Sequence, residues 1–118
     1  MASFAATFAL RPELYADYRA FAERFWTDRL VEPTLLELCR IRVAQLLGCA
    51  GEARRRTPAA VAAGLDEARV AALAGWPRSP LFTAVERACL RLTEDFVLDP
   101  HGVSDAEAAA VAAHLSPP

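Results

Sequence analysis

The stretch LLELCRIRVAQLLGCAGE, residues 35–52, decides the fold. Pro33 and Thr34 stand just ahead of it, and a proline in the first helical turn loses nothing, because its missing N–H would have no acceptor there. Apolar residues then wrap most of the circumference as far as Leu47, which predicts the most buried helix of the chain. Gly48 is placed to stop that helix in the left-handed conformation. No sustained period-two alternation of β-branched or aromatic residues occurs on either side, so the expected fold is an all-α bundle of about five or six short helices.

Upstream, a helix is expected from Pro12 to about Arg29, with Leu14, Tyr18, Phe21 and Phe25 aligned on one face that is expected to be core. Downstream, CAGEARRRTPAAVAAG (residues 49–64) carries Pro58, which would clash one turn back in a continuous helix. Either one helix is kinked there, or a short turn from Ala50 to Arg56 ends and Thr57 caps a new helix with Pro58 at its first position. Asp66 then caps a helix to about Ala74, and Gly75, Trp76, Pro77 and Pro80 make a loop. Thr83 with Glu86 forms a capping-box pattern opening a helix to about Leu98. Ser104 with Glu107 repeats it for a last helix ending near Leu115, which the tail Ser116-Pro117-Pro118 cannot continue.

The 118 residues suit a single domain spanning 1–118. Apolar residues make up 54% and charged residues 24%, a globular balance. Thirteen basic against 15 acidic residues give a formal charge of -2, which argues against a nucleic-acid partner held by phosphate contacts. No apolar run reaches the ~20 residues of a membrane helix, and Met1 to Leu10 lacks the cationic start of a signal peptide. Together with Cys39, Cys49 and Cys89, an odd number at wide spacing, this reads as a soluble protein of the reducing cytoplasm. Every basic side chain is Arg, which excludes lysine Schiff-base chemistry. His101 and His114 have no second ligand at metal spacing, and glycine-rich phosphate loops are absent, so no metal and no cofactor are expected.

The run at 35–52, followed by AAGLDEARVAALAGW (62–76) and SPLFTAVERACLRLTEDF (79–96), resembles the carboxymuconolactone decarboxylase family in its alkyl hydroperoxidase D-like branch. The resemblance covers roughly Thr34 to Ser116. It implies a helical homo-oligomer and, in the redox-active branch, reduction of peroxides or disulfides through a CxxC pair. It also implies a Glu twelve positions before the first Cys and a His four positions after the second. Glu37 and Cys49 stand at the first two of these positions, whereas Glu52 replaces the second Cys and Arg56 replaces the His. Family chains commonly continue into another long apolar helix where this one stops at Pro118. An apolar groove left open in that way would favour association.

Each matched residue carries two readings. Glu37 is either the relay that takes the proton, or a structural group making a capping box with Thr34 and an ion pair with Arg40. Cys49 is either a thiolate favoured by a helix start and by Arg54 to Arg56, or an inert packed thiol opposed by the like charge of Glu52. Glu52 falls at i+3 or i+4 from Arg55 or Arg56, which suggests an ion pair, Glu52 with Arg56, in place of the family's Cys and His. Arg54, Arg55 and Arg56 point in three directions around a helix and read as a solvated face.

Three functions compete. In the first, CxxC cycling is lost and a small-molecule-binding or assembly role remains, with Glu37, Cys49, Glu52 and Arg56 lining a vestigial pocket. In the second, the chain is a one-cysteine peroxidase with Cys49 as nucleophile, Glu37 as proton acceptor, Arg56 as thiolate stabiliser and an external thiol as reductant. In the third, Glu37 and Glu52 do acid/base work on a lactone or small acid held by arginines.

Overall fold

Gly48 sets the geometry around which the fold is built. In the computed structural model, which describes residues 4–117, helix α3 (Pro33–Leu46) ends when Gly48 adopts a φ of +68°. The Gly48 N–H donates to Gln45 O and the Cys49 N–H to Ala44 O, the paired bonds of a Schellman turn. Preceding α3 are α1 (Phe4–Phe8) and α2 (Pro12–Thr27). After it come α4 (Ala50–Arg54), α5 (Pro58–Ala62), α6 (Glu67–Ala72), a 3-10 turn (Leu73–Arg78), α7 (Ala84–Leu98), a second 3-10 turn (Pro100–Gly102) and α8 (Asp105–Ala112). No strand occurs among the described residues, so the fold is all-α as expected. The helical segments outnumber the expected five or six because α1 is a separate short piece and the residues before Pro58 break the chain into α4 and α5. Met1 to Ser3 of the N-terminal stretch and Pro118 of the tail lie outside the described residues.

The chain divides into two compact units, Met1–Leu30 and Val31–Pro118. In the first, Phe8 of α1 meets Tyr15 and Tyr18 of α2 with ring centroids 5.7 Å apart. The face Leu14, Tyr18, Phe21, Phe25 is not the core that its spacing suggested. All four residues are exposed and no residue of α2 is buried. Helical spacing marks a face that can be covered and does not say by what.

In the second unit, α3 is the most buried helix, with Leu35, Leu38, Ile41 and Ala44 inside. Leu38 and Ile41 join Val70, Leu73, Trp76, Phe82 and Leu90 in one core cluster. The segment predicted as a loop around Trp76 is thus a wall of the core. Three carboxylates at the edge of this core each hold an arginine. Glu37 binds Arg40, Glu86 binds Arg69, and Glu94 Oε1 accepts from Arg42 Nε at 2.7 Å and from Trp76 Nε1 at 2.9 Å. Burial of a charge requires such pairing. Among the described residues no buried side-chain polar atom is left without a partner, and no helix is long and apolar enough to cross a membrane.

Both expected capping boxes form, Thr83 with Glu86 and Ser104 with Glu107, and Asp66 caps α6 through Ala68 N. The third pattern does not. Thr34 lies inside α3, whose first turn starts at Pro33, and the Glu37 side chain is directed elsewhere.

Candidate functional site

Glu37 projects from the second turn of α3 and is fully buried. Its carboxylate accepts four hydrogen bonds. Arg40 Nε donates to Oε2 and Arg40 Nη2 to Oε1, both at 2.9 Å, in the forked geometry that planar guanidinium and carboxylate groups share. The Thr57 N–H donates to Oε1 at 2.9 Å and the Thr57 hydroxyl to Oε2 at 3.1 Å. A carboxylate offers about four lone-pair positions, so Glu37 is saturated. Burial alone pushes its carboxyl upward, but the Arg40 bonds, the Thr57 N–H and the Arg40 charge together outweigh this and hold it below the usual carboxylate value.

Arg40 is equally committed. Beyond Glu37, its Nη1 donates to Glu52 O at 2.9 Å and to Glu52 Oε2 at 3.3 Å, and its Nη2 donates to Arg55 O at 2.6 Å. All five guanidinium donors lie on protein acceptors, and the group ties α3 to the end of α4. Thr57 explains how the chain passes Pro58. It is extended and precedes a helix with Pro58 in its first turn, so the second of the two sequence readings holds. Its side chain does not cap α5, however, since it faces Glu37.

The ion pair expected between Glu52 and Arg56 is absent. Glu52 Oε2 accepts from Arg55 at 2.9 Å and from Arg40, while Arg56 forks onto Glu67 of α6 at 2.8 and 3.1 Å. The physical reason is that α4 ends at Arg54 and Arg55 is extended, so helical i+4 spacing does not reach Arg56. Arg56 Nη1 also donates to Ala53 O and Arg55 O, leaving Arg54 as the solvated member of the triplet. Cys49 stands exposed at the N-cap of α4, its thiol 3.8 Å from Leu47 O.

The other two thiols behave differently. Burial pushes Cys39 up to about 11, with Cys89 and Glu86 adding to the effect against a hydrogen bond to Thr93, and burial also raises Cys89. Among the described residues no group of His, Cys, Asp and Glu is arranged to hold a metal ion.

Two features escaped the sequence. Thr57 meets Glu37 across 20 residues, and no spacing rule links the two. A cleft of about 530 Å³ between α7 and α8 is lined by Arg91, Asp95, Asp99, Gly102, Ser104 and Glu107. Asp95 and Glu107 both accept from Arg91, Glu107 also caps Ser104, and Asp99 caps Gly102.

Searches of curated proteins and of solved structures give no match. The profile of the carboxymuconolactone decarboxylase family matches residues 12–95, from the start of α2 to near the end of α7. On a match over most of its length, the chain belongs to the carboxymuconolactone decarboxylase family.

Proposed function

We propose that this chain is an alkyl hydroperoxidase D-like member of its family in which thiol redox cycling has been lost and a small-molecule-binding or assembly role remains. The observation that carries this reading is the saturation of Glu37. A proton relay needs a free acceptor on its oxygens, and all four positions are taken by Arg40 and Thr57. The second sulfur of a CxxC pair is absent because Glu52 stands there, and its carboxylate is held by Arg40 and Arg55. Acid/base chemistry by Glu37 and Glu52 together meets the same obstacle at Glu37. A reducing, cytoplasmic setting suits three free thiols.

The test is consumption of hydrogen peroxide or an organic hydroperoxide with a dithiol reductant, comparing the wild type with Cys49→Ser. Equal, background rates are expected. Consumption that disappears with Cys49→Ser and falls with Glu37→Gln would replace this reading by the one-cysteine peroxidase.

A further inference from the structure

Two free thiols stand on facing helices within the second unit. Cys39 belongs to α3 and Cys89 to α7, the pair of helices packed most extensively on one another. Contacts on either side fix their register. Arg42, one turn after Cys39, reaches Glu94 of α7 at 2.7 Å, and Leu38, next to Cys39, shares the core cluster with Leu90, next to Cys89. Cys39 itself packs against that cluster. The Thr93 hydroxyl donates to Cys89 O at 2.7 Å, and the Cys39 thiol hydrogen-bonds Thr93. Residues four apart are neighbours on a helix surface, so a thiol that meets Thr93 lies against the turn that carries Cys89.

Access orders the two. Cys39 is half-buried and Cys89 buried, so an oxidant meets Cys39 first, and only a small one reaches it. We infer that Cys39 and Cys89 are a redox-responsive pair, which a small hydroperoxide joins into a disulfide between α3 and α7. With hydrogen peroxide, the Cys39 thiolate attacks one oxygen, the O–O bond breaks, and the departing hydroxide takes up the proton that Cys39 released, leaving as water. The Cys89 sulfur then attacks the sulfenic sulfur of Cys39, the S–O bond breaks, and the Cys89 proton leaves in a second water. Two thiols lose two electrons and two protons, and one peroxide becomes two waters. The new bond lies inside the helix pair, out of reach of a dithiol, so the event staples the fold once and does not turn over. The inference goes beyond the proposed loss of CxxC cycling and does not rest on it.

The test uses the full chain carrying Cys49→Ser, an exposed substitution that leaves both thiols of the pair native. After exposure to excess hydrogen peroxide, trypsin releases Cys39 in residues 30–40 and Cys89 in residues 88–91. Without reduction these should appear as one species, about 2 Da lighter than the two peptides together. Burial pushes the Cys39 thiol up to about 11, and below that value its thiolate fraction grows tenfold per pH unit, so linking should run about tenfold faster at pH ~9 than at pH ~8. Because the link closes a loop of about 50 residues, the oxidised protein should melt about 10 °C higher. Dithiothreitol in urea should reverse both changes.

Unlinked peptides overturn the proposal, whether still reduced or carried on to sulfinic and sulfonic acids. So does a bond between two copies rather than within one chain, or a link that leaves the midpoint unchanged or lowers it. Failure here leaves the peroxide assay as it stands, and turnover through Cys49 there leaves this pair as it stands.

Discussion

The Thr57 N–H donates to Glu37 Oε1 at 2.9 Å, so the residue that starts α5 is held by a carboxylate from the second turn of α3. Arg40 locks the same carboxylate from the other side, and the three residues form one unit. Removing one partner of a buried charge pair leaves the other without compensation, at about 3–5 kcal/mol. Arg40→Met should therefore destabilise the chain by about 3 kcal/mol in urea unfolding. Glu37→Gln should cost a similar amount, and the double variant clearly less than the sum. Strict additivity would show that the pair is not coupled.

The same carboxylate makes stability depend on pH. Its pKa in the folded chain lies below the ordinary value, so its contribution is present above the unfolded carboxylate pKa of about 4.3 and is lost as pH falls through the folded value. Acid unfolding of the wild type should steepen below pH ~4, and Glu37→Gln should flatten that part of the curve. Parallel curves for the two proteins would mean that Glu37 does not titrate there.

Thiol accessibility separates the three cysteines. At pH ~8 a thiol with a pKa near 11 is about one part in a thousand thiolate, so half-buried Cys39 should resist iodoacetamide in the native protein, and Cys89, buried and raised by that burial, should resist it too. Cys49, exposed, should be alkylated first. Mass spectrometry of peptides from briefly treated protein reads this directly, and rapid native labelling of Cys39 would contradict the packing of α3 against α7.

Restoring the family's motif tests the division between sulfur and relay. In Glu52→Cys/Arg56→His, the two thiols stand at the N-cap and third residue of α4, positions whose side chains meet in a capping box, so oxidation should join them. Peroxide turnover should nevertheless stay at background, because Glu37 remains saturated. Three ion pairs, Glu52 with Arg40 and with Arg55 and Arg56 with Glu67, are lost at under about 1 kcal/mol each. Turnover in this variant would show that Glu37 releases its partners during reaction.

How much of this was legible in the sequence follows from the range of each signal. Gly48, Asp66 and the boxes Thr83–Glu86 and Ser104–Glu107 were readable because a cap is a contact within three residues. The pair Glu37–Arg40 was readable for the same reason, since i+3 neighbours meet on a helix. Thr57 on Glu37 and Arg56 on Glu67 were not, because only the tertiary fold brings them together. The α2 face failed differently. Its periodicity was correct, but burial belongs to whatever covers a face and not to the helix that presents it.

The Schellman turn at Gly48 has a practical consequence. By reversing the chain after α3 it leaves Cys49 at the surface while Cys39 is half-buried and Cys89 buried, and the sequence contains no lysine amine to compete for a label. A maleimide fluorophore or nitroxide will therefore attach at one known point, at the start of α4. A single reagent turns the native protein into a defined spectroscopic probe without any engineered residue.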